Sequence, residues 1–234
     1  MKNINWSELG FGYFKTDYNV RCEYKDGKWG ELYATEDVNM NIHMASTCLH
    51  YGQEVFEGLK AFRGADGKVR LFRVEENAKR MINSGEYLKM AVPSVELFTK
   101  ACIEAVKLNA DYIPPYGSGA SLYLRPMLIG VGPQVGVKPS ADYLFAVFVT
   151  PVGPYYKDGF NCIKVIIDYD HDRAAPKGTG HVKVGGNYAA SLDSGEIAHQ
   201  KGFASVIFLD PATKQYIDEC SAANFFGIRD GKYI

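Results

Sequence analysis

Residues 176–192 read P-K-G-T-G-H-V-K-V-G-G-N-Y-A-A-S-L, with Lys183 set among Gly178, Gly180, Gly185 and Gly186 and with Tyr188 five positions on. Glycine lets backbone pass close to a ligand or take positive φ at little steric cost, so the loop reads as shaped to hold something against one amine. Its flanks fit that reading. C-I-K-V-I-I-D-Y (162–169) precedes it as a strand, and Asn187 can cap a following helix that runs to Gly202, a C′ glycine. A-S-V-I-F-L-D (204–210) and Q-Y-I-D-E-C (215–220) continue as strands, and Asp230-Gly231 marks a last turn. The sequence ends at Ile234 just as the returning strand begins, and a domain rarely stops inside a hairpin. A further C-terminal portion is therefore expected.

Toward the N-terminus, P-V-G-P-Y-Y-K-D-G (151–159) is rich in Pro and Gly and reads as an interdomain linker. It separates an N-terminal α/β domain, 1–150, from a partial C-terminal domain, 160–234. Within the first domain, Asp26-Gly27 and Asp66-Gly67 signal hairpins. Val74, Ala78, Met81, Ile82 and Leu88 recur at helical spacing up to a stop at Pro93. Ser94 then caps a second helix with Leu97, Phe98, Ala101, Ala105 and Val106 on its inner side. S-L-Y-L-R-P-M-L-I (121–129) and Y-L-F-A-V-F-V-T (143–150) are strand-like, the second apolar enough to be buried on both faces.

Composition narrows the function classes. Lys plus Arg number 26 against 27 Asp plus Glu, so the basic excess that accompanies nucleic-acid or anionic-membrane binding is missing. No apolar run approaches the roughly 20 residues of a bilayer span, and the first residues lack the apolar core of a secretory signal. The five cysteines form no C-x-x-C pair, which points to free thiols, a reducing compartment and a cytoplasmic location, with no metal site. The D-Y-D-H-D stretch (168–172) matches no EF-hand or zinc spacing and reads as an acidic loop after a strand.

Chemistry concentrates at a few residues. A nucleophilic lysine forms Schiff bases once a buried or cationic setting lowers its proton affinity, and Lys183 has the surroundings for that role. A surface lysine in a loop is the competing reading. A phosphate cradle is a weaker one, because neither G-x-x-x-x-G-K-[ST] nor G-x-G-x-x-G is met. Tyr188, placed in the first helical turn, can return its hydroxyl toward Lys183, or it can simply pack. Glu219 ends a strand beside small residues, where a buried carboxylate needs a cation, whether a protonated pyridine nitrogen or an Arg or Lys side chain. Arg80 can reach a phosphate or pair with Glu76 four residues back. Arg125, inside the apolar run L-Y-L-R-P, faces a carboxylate, an interface or solvent.

Taken in order, several stretches resemble one family, the branched-chain amino acid aminotransferases among the fold type IV pyridoxal-phosphate enzymes. They are L-H-Y-G-Q-E-V-F-E-G-L-K-A-F-R-G (49–64), V-R-L-F-R-x-x-x-N-x-x-R-M (69–81) and S-L-Y-L-R-P-M-L-I-G (121–130). P-V-G-P-Y-Y (151–156), V-K-V-G-G-N-Y (182–188) and E-C-S-A-A-N-F-F (219–226) complete the set. The similarity extends from about Gly10 to the last residue. It implies a two-domain α+β architecture of fold type IV with the second domain incomplete, a pyridoxal 5′-phosphate cofactor, and a homodimer. Lys183 would carry the cofactor as a Schiff base and shuttle protons. Tyr188 would bond its O3′, Glu219 its pyridinium nitrogen and Arg80 its phosphate. Phe11, Phe56, Tyr51 and Tyr123 match positions around the substrate side chain, with Tyr51 reaching into the partner's site, and Arg125 would take the distal carboxylate of glutamate or 2-oxoglutarate.

The implied reaction is transamination between leucine, isoleucine or valine and 2-oxoglutarate. The family continues beyond the position of Ile234 with turns that serve the phosphate and the substrate α-carboxylate, so a chain of these 234 residues alone is expected to bind cofactor weakly. D-amino acid aminotransferases and aminodeoxychorismate lyases share the lysine and the glutamate, but L-Y-L-R-P and F-E-G-L-K-A-F-R favour the branched-chain enzyme. A catalytically silent remnant is the non-enzymatic alternative.

Overall fold

A computed structural model describes residues 2–154, 161–175, 177–221 and 223–234. The chain forms two compact units, Met1–Gly159 and Phe160–Ile234.

The first unit is an antiparallel sheet with helices on one face. Its strands are β1 (Asn19–Lys25), β2 (Lys28–Trp29) and β3 (Tyr33–Thr35), then helix α1 (Thr47–Tyr51), then β4 (Glu54–Phe56), β5 (Leu59–Arg63) and β6 (Val69–Leu71). Helices α2 (Val74–Tyr87) and α3 (Val95–Leu108) follow, then the long strands β7 (Ser121–Gly130) and β8 (Tyr143–Val152). The strand order is β2-β1-β8-β7-β5-β6, with β3 also on β1 and β4 also on β7. The expected hairpins form. Asp26 (φ 52°) and Gly27 (φ 77°) turn β1 into β2, the left-handed pair that matches strand twist. Ser94 caps α3, its Oγ accepting from the Leu97 N–H at 3.2 Å.

Strand alternation gives the sheet two characters. On the helix side, Leu122, Leu124 and Leu128 of β7 and Phe145, Val147 and Val149 of β8 are almost wholly buried, and Phe98 of α3 stacks on Phe145 at 5.8 Å. Each such large apolar side chain contributes about 1.5–3 kcal/mol on burial. The other side carries Tyr123 and Arg125, with Thr150 and Phe148 as their cross-strand neighbours. β8 is buried on both faces along most of its length, as its unbroken apolar run predicts. Pro151 and Val152 complete this strand, so they are not linker. Gly153 is pinned by its N–H to the Gly10 carbonyl at 3.1 Å, and residues 155–159 of the expected linker lie outside the described residues.

The second unit has a three-stranded sheet, β9 (Val165–Asp168), β10 (Ser205–Leu209) and β11 (Ile217–Glu219), in the order β11-β10-β9. β9 and β10 are parallel, and the segment joining them holds helices α4 (Gly185–Ala189) and α5 (Leu192–Gln200). Ala198 of α5 packs with Val206 and Phe208 of β10, and Ile166 and Phe203 close the cluster. Gly202 (φ 77°) ends α5 as expected. The start of the helix differs from expectation. Asn187 is no N-cap: α4 begins at Gly185, and a break at Ala190–Ser191 separates it from α5. The D-Y-D-H-D stretch is a loop closed by Asp168, whose Oδ1 accepts the N–H groups of Asp170 and His171. Strands β12 (Ile228–Arg229) and β13 (Lys232–Tyr233) form a hairpin through Asp230 and Gly231, both left-handed.

Candidate active site

The second unit presents the amine that the glycine loop singles out. Val182 and Val184, both buried, anchor the backbone on either side of half-buried Lys183. Lys183 Nζ donates to Tyr188 Oη at 2.5 Å and lies 4.8 Å from the Tyr188 ring centroid. The lysine and the tyrosine are therefore brought together, as their spacing suggests.

The glycines act differently from the simplest expectation. None of Gly178, Gly180, Gly185 and Gly186 has positive φ. A Cβ on Gly180 would stand 2.4 Å from the Ala174 Cβ, so what matters there is close approach between two stretches of this chain.

Asn187 holds the loop from within. Its Nδ2 donates to the carbonyls of Thr179 (2.7 Å) and Val182 (2.9 Å), and its Oδ1 accepts from Thr179 Oγ1 at 2.7 Å. These bonds tie the α4 end of the loop to residues on the near side of Lys183. The same local hydrogen-bonding capacity that makes asparagine a good cap is spent here on loop carbonyls.

Glu219, at the end of β11, is half-exposed and helps line a hollow of about 660 Å³ with Ala174, Ala175, Gly180, Pro211, Asn224 and others. Its cation is Arg173, with Nε 3.4 Å from Glu219 Oε2. The sequence by itself marks neither Arg173 nor Asn187's part in the loop. Its signal there is an arginine lying among small residues in D-R-A-A-P.

The first unit presents the other candidates. Arg80, on α2, pairs with Glu57 rather than Glu76, which bonds Lys79 instead. Arg80 Nε meets Glu57 Oε1 at 2.6 Å and its Nη2 meets Oε2 at 2.7 Å, a bidentate fork, and Asn77 Nδ2 donates to the same carboxylate at 2.8 Å. Glu57 is fully buried while the Arg80 side chain is about half exposed. Glu57 is a further residue missed in the sequence, because its partner lies 23 positions away. Burial pushes the thiol of Cys102 far above its ordinary range, with the Glu57 carboxylate adding to the effect, so this cysteine is an inert core residue.

Arg125 lies over Phe56 (4.7 Å to the ring centroid) and beside Tyr123 (5.4 Å), and its Nε and Nη2 donate to Tyr123 Oη at 3.2 and 3.1 Å. Phe11 meets Tyr123 edge to face at 5.2 Å. Phe11, Tyr13, Tyr123, Arg125, Phe148 and Thr150 border a hollow of about 200 Å³. Gly58 makes this arrangement feasible, since a Cβ there would fall 2.3 Å from Tyr123 Oη. Tyr51 stands apart at the end of α1, half-exposed, its hydroxyl donating to the Val135 carbonyl.

An amine in contact with a phenol, and a carboxylate beside a roomy hollow, form the donor set that a pyridoxal ring needs: an imine-forming nitrogen, a donor to the ring hydroxyl oxygen, and an anion for the ring nitrogen. The residues present fit that group.

The amino-transferase class IV family model matches residues 54–234. The chain is 53% identical over 240 residues to a branched-chain-amino-acid aminotransferase of Haemophilus influenzae, an alignment covering all of this chain and 70% of that protein. Among solved structures, the Escherichia coli branched-chain amino acid aminotransferase matches with a TM-score of 0.73 and 27% identity, over 94% of this chain and 67% of that one. A T.th. branched-chain amino acid aminotransferase complexed with N-(5′-phosphopyridoxyl)-L-glutamate matches with a TM-score of 0.70, 27% identity and the same two coverages.

Proposed function

Because this chain belongs to the amino-transferase class IV family, we propose that it exchanges amino groups between branched-chain L-amino acids and 2-oxoglutarate with pyridoxal 5′-phosphate. The cofactor supplies an electron sink for the substrate carbon that loses its proton. The observation that carries the reading is the Lys183–Tyr188 contact, an amine held by a phenol on a glycine-flanked loop.

Lys183 is the residue that holds the cofactor and moves the proton at the reacting carbon. Tyr188 orients the ring through its hydroxyl oxygen, and Glu219 faces the ring nitrogen. Arg80, already pinned by Glu57, receives the phosphate, for which a planar guanidinium is suited. Phe11, Phe56 and Tyr123 supply the apolar wall for leucine, isoleucine and valine, contributing about 0.8 kcal/mol for each methylene removed from water. Arg125, held by the Tyr123 hydroxyl and stacked on Phe56, takes the distal carboxylate of the alternate substrate without making the wall itself polar.

Tyr51 is half-exposed and donates to the Val135 carbonyl, which suits a residue presented to the second subunit of a homodimer. The residues 1–150 serve as substrate-side domain and 160–234 as cofactor-side domain. No helix among the described residues is long and apolar enough to cross a membrane, and the cytoplasm is the proposed compartment.

Borohydride reduction of the protein loaded with pyridoxal 5′-phosphate, followed by peptide mass mapping, tests the core of this reading. A pyridoxyl group on Lys183 is the expected result. An adduct confined to other lysines, or leucine-dependent glutamate formation that survives Lys183→Ala, would refute it.

A further inference from the structure

Arg173 lies five residues after the end of β9 and is 5% exposed, an almost fully enclosed guanidinium. It touches three of the residues around the glycine loop. Its Nη1 donates to the Asn187 carbonyl at 2.8 Å, its guanidinium carbon sits 5.0 Å from the centroid of the Tyr188 ring, and its Nε is 3.4 Å from Glu219 Oε2. That Nε is enclosed and makes no hydrogen bond, so what joins it to the Glu219 carboxylate 3.4 Å away is an ion pair. Enclosing a guanidinium costs several kcal/mol unless it is paired, and its partners here are the carbonyl, the π face and Glu219.

We infer that Arg173 is a positioning residue that locks Glu219 and Tyr188 in register with each other, so that one carboxylate and one phenol meet the ring nitrogen and the ring oxygen of the same cofactor. The inference rests on the proposed pyridoxal-phosphate reading of Lys183, Tyr188 and Glu219. Arg173 touches no reacting atom. It acts through the residues that do.

A planar guanidinium can do this where a lysine cannot. Its Nη1 is fixed by the Asn187 carbonyl and its guanidinium carbon lies over the Tyr188 ring, so the charge beside Glu219 is held in one place. A charge held there favours the orientations of the half-exposed Glu219 side chain that keep its carboxylate close.

The test compares binding of pyridoxal 5′-phosphate with that of its 1-deaza analogue, in which the ring nitrogen is a C–H. Both dissociation constants are measured on the full chain by absorbance for the wild type, Arg173→Gln, Arg173→Lys, Glu219→Gln and the double variant R173Q/E219Q. The wild type should favour the nitrogen-containing ring by on the order of tenfold or more, the strength of a hydrogen bond to a charged group. R173Q should lose most of that preference, E219Q should lose it too, and the double variant should lose no more than either single one. R173K, which keeps the charge but not the fork, should fall between.

A purely structural role would weaken both ligands alike and leave their ratio at the wild-type value in R173Q and R173K, and that result overturns the inference. If R173Q does not fold, R173K decides: an unchanged ratio overturns the proposal and a reduced one supports it. Borohydride mapping on the wild type keeps the two layers separate, because an absent adduct on Lys183 defeats the underlying reading, whereas an adduct with an unchanged ratio defeats only the role of Arg173.

Discussion

Replacing Arg80 with alanine should damage the fold as well as any phosphate site, and the structure fixes by how much. Arg80 neutralises Glu57 through two charge-assisted contacts at 2.6 and 2.7 Å, and Glu57 has no exposed surface. Removing one partner of a buried pair costs about 3–5 kcal/mol, because the remaining charge is left uncompensated. The Arg80 side chain is half exposed, so solvent already screens the pair, and Asn77 continues to donate to Glu57 Oε2. The lower end, about 3 kcal/mol, is therefore expected. In a unit of this size that lowers the melting temperature by roughly 6–12 °C.

The carboxamide in R80A/E57Q needs no cation, so the double variant should recover about 2 kcal/mol of the loss, a coupling well above the error of a double-mutant cycle. Urea unfolding followed by tryptophan fluorescence measures all four proteins. Trp29, whose Nε1 donates to the Val92 carbonyl, reports on this same unit. If R80A costs less than about 1 kcal/mol, or if E57Q fails to rescue it, then Glu57 is not held by Arg80 in the way described.

Ser94→Ala removes the α3 cap and should destabilise the first unit by about 1 kcal/mol, read from the urea midpoint. Gly58→Ala puts a Cβ where the Tyr123 hydroxyl lies, displacing the group that holds Arg125. Its KM for 2-oxoglutarate should rise on the order of tenfold while borohydride labelling of Lys183 persists. Asp210 accepts the Tyr216, Thr213 and Gln215 N–H groups and the Thr213 hydroxyl, with the Tyr216 amide the largest influence, and its carboxyl is held far below the usual range. A carboxyl depressed on folding stabilises fully above its unfolded value near 4 and loses that contribution as pH falls toward its folded value. The stability advantage of wild type over Asp210→Asn should therefore be constant from pH 7 to about 5 and shrink by pH 2, and an advantage that grows on acidification would contradict this.

Local patterns carried much of the fold. The apolar runs of the two long strands, the Ser94 cap and the Asp26-Gly27 turn each depend on neighbours within a few residues, and each appears where the sequence places it. Lys183 and Tyr188 were legible for the same reason, being five positions apart on one loop. What escaped was decided at long range. Glu57 sits at a strand end and looks like an ordinary surface acid until the fold brings α2 against it. Arg173 acquires its meaning only when Asn187 and Glu219, 14 and 46 positions on, are folded around it. Asn187 misled because capping a helix and bracing a loop draw on one and the same amide chemistry.

The two-sided character of β7 has an evolutionary corollary. Leu122 and Leu124 are committed to cohesion of the interior, whereas Tyr123 and Arg125, interleaved with them, project from the opposite side of the same ribbon. On the proposed substrate-binding role of Tyr123 and Arg125, selectivity and robustness are written on alternate letters of a single strand. On that proposal, exchanging the odd-numbered side chains retunes which acids are accepted while the fold's tolerance to heat stays where the even-numbered ones set it.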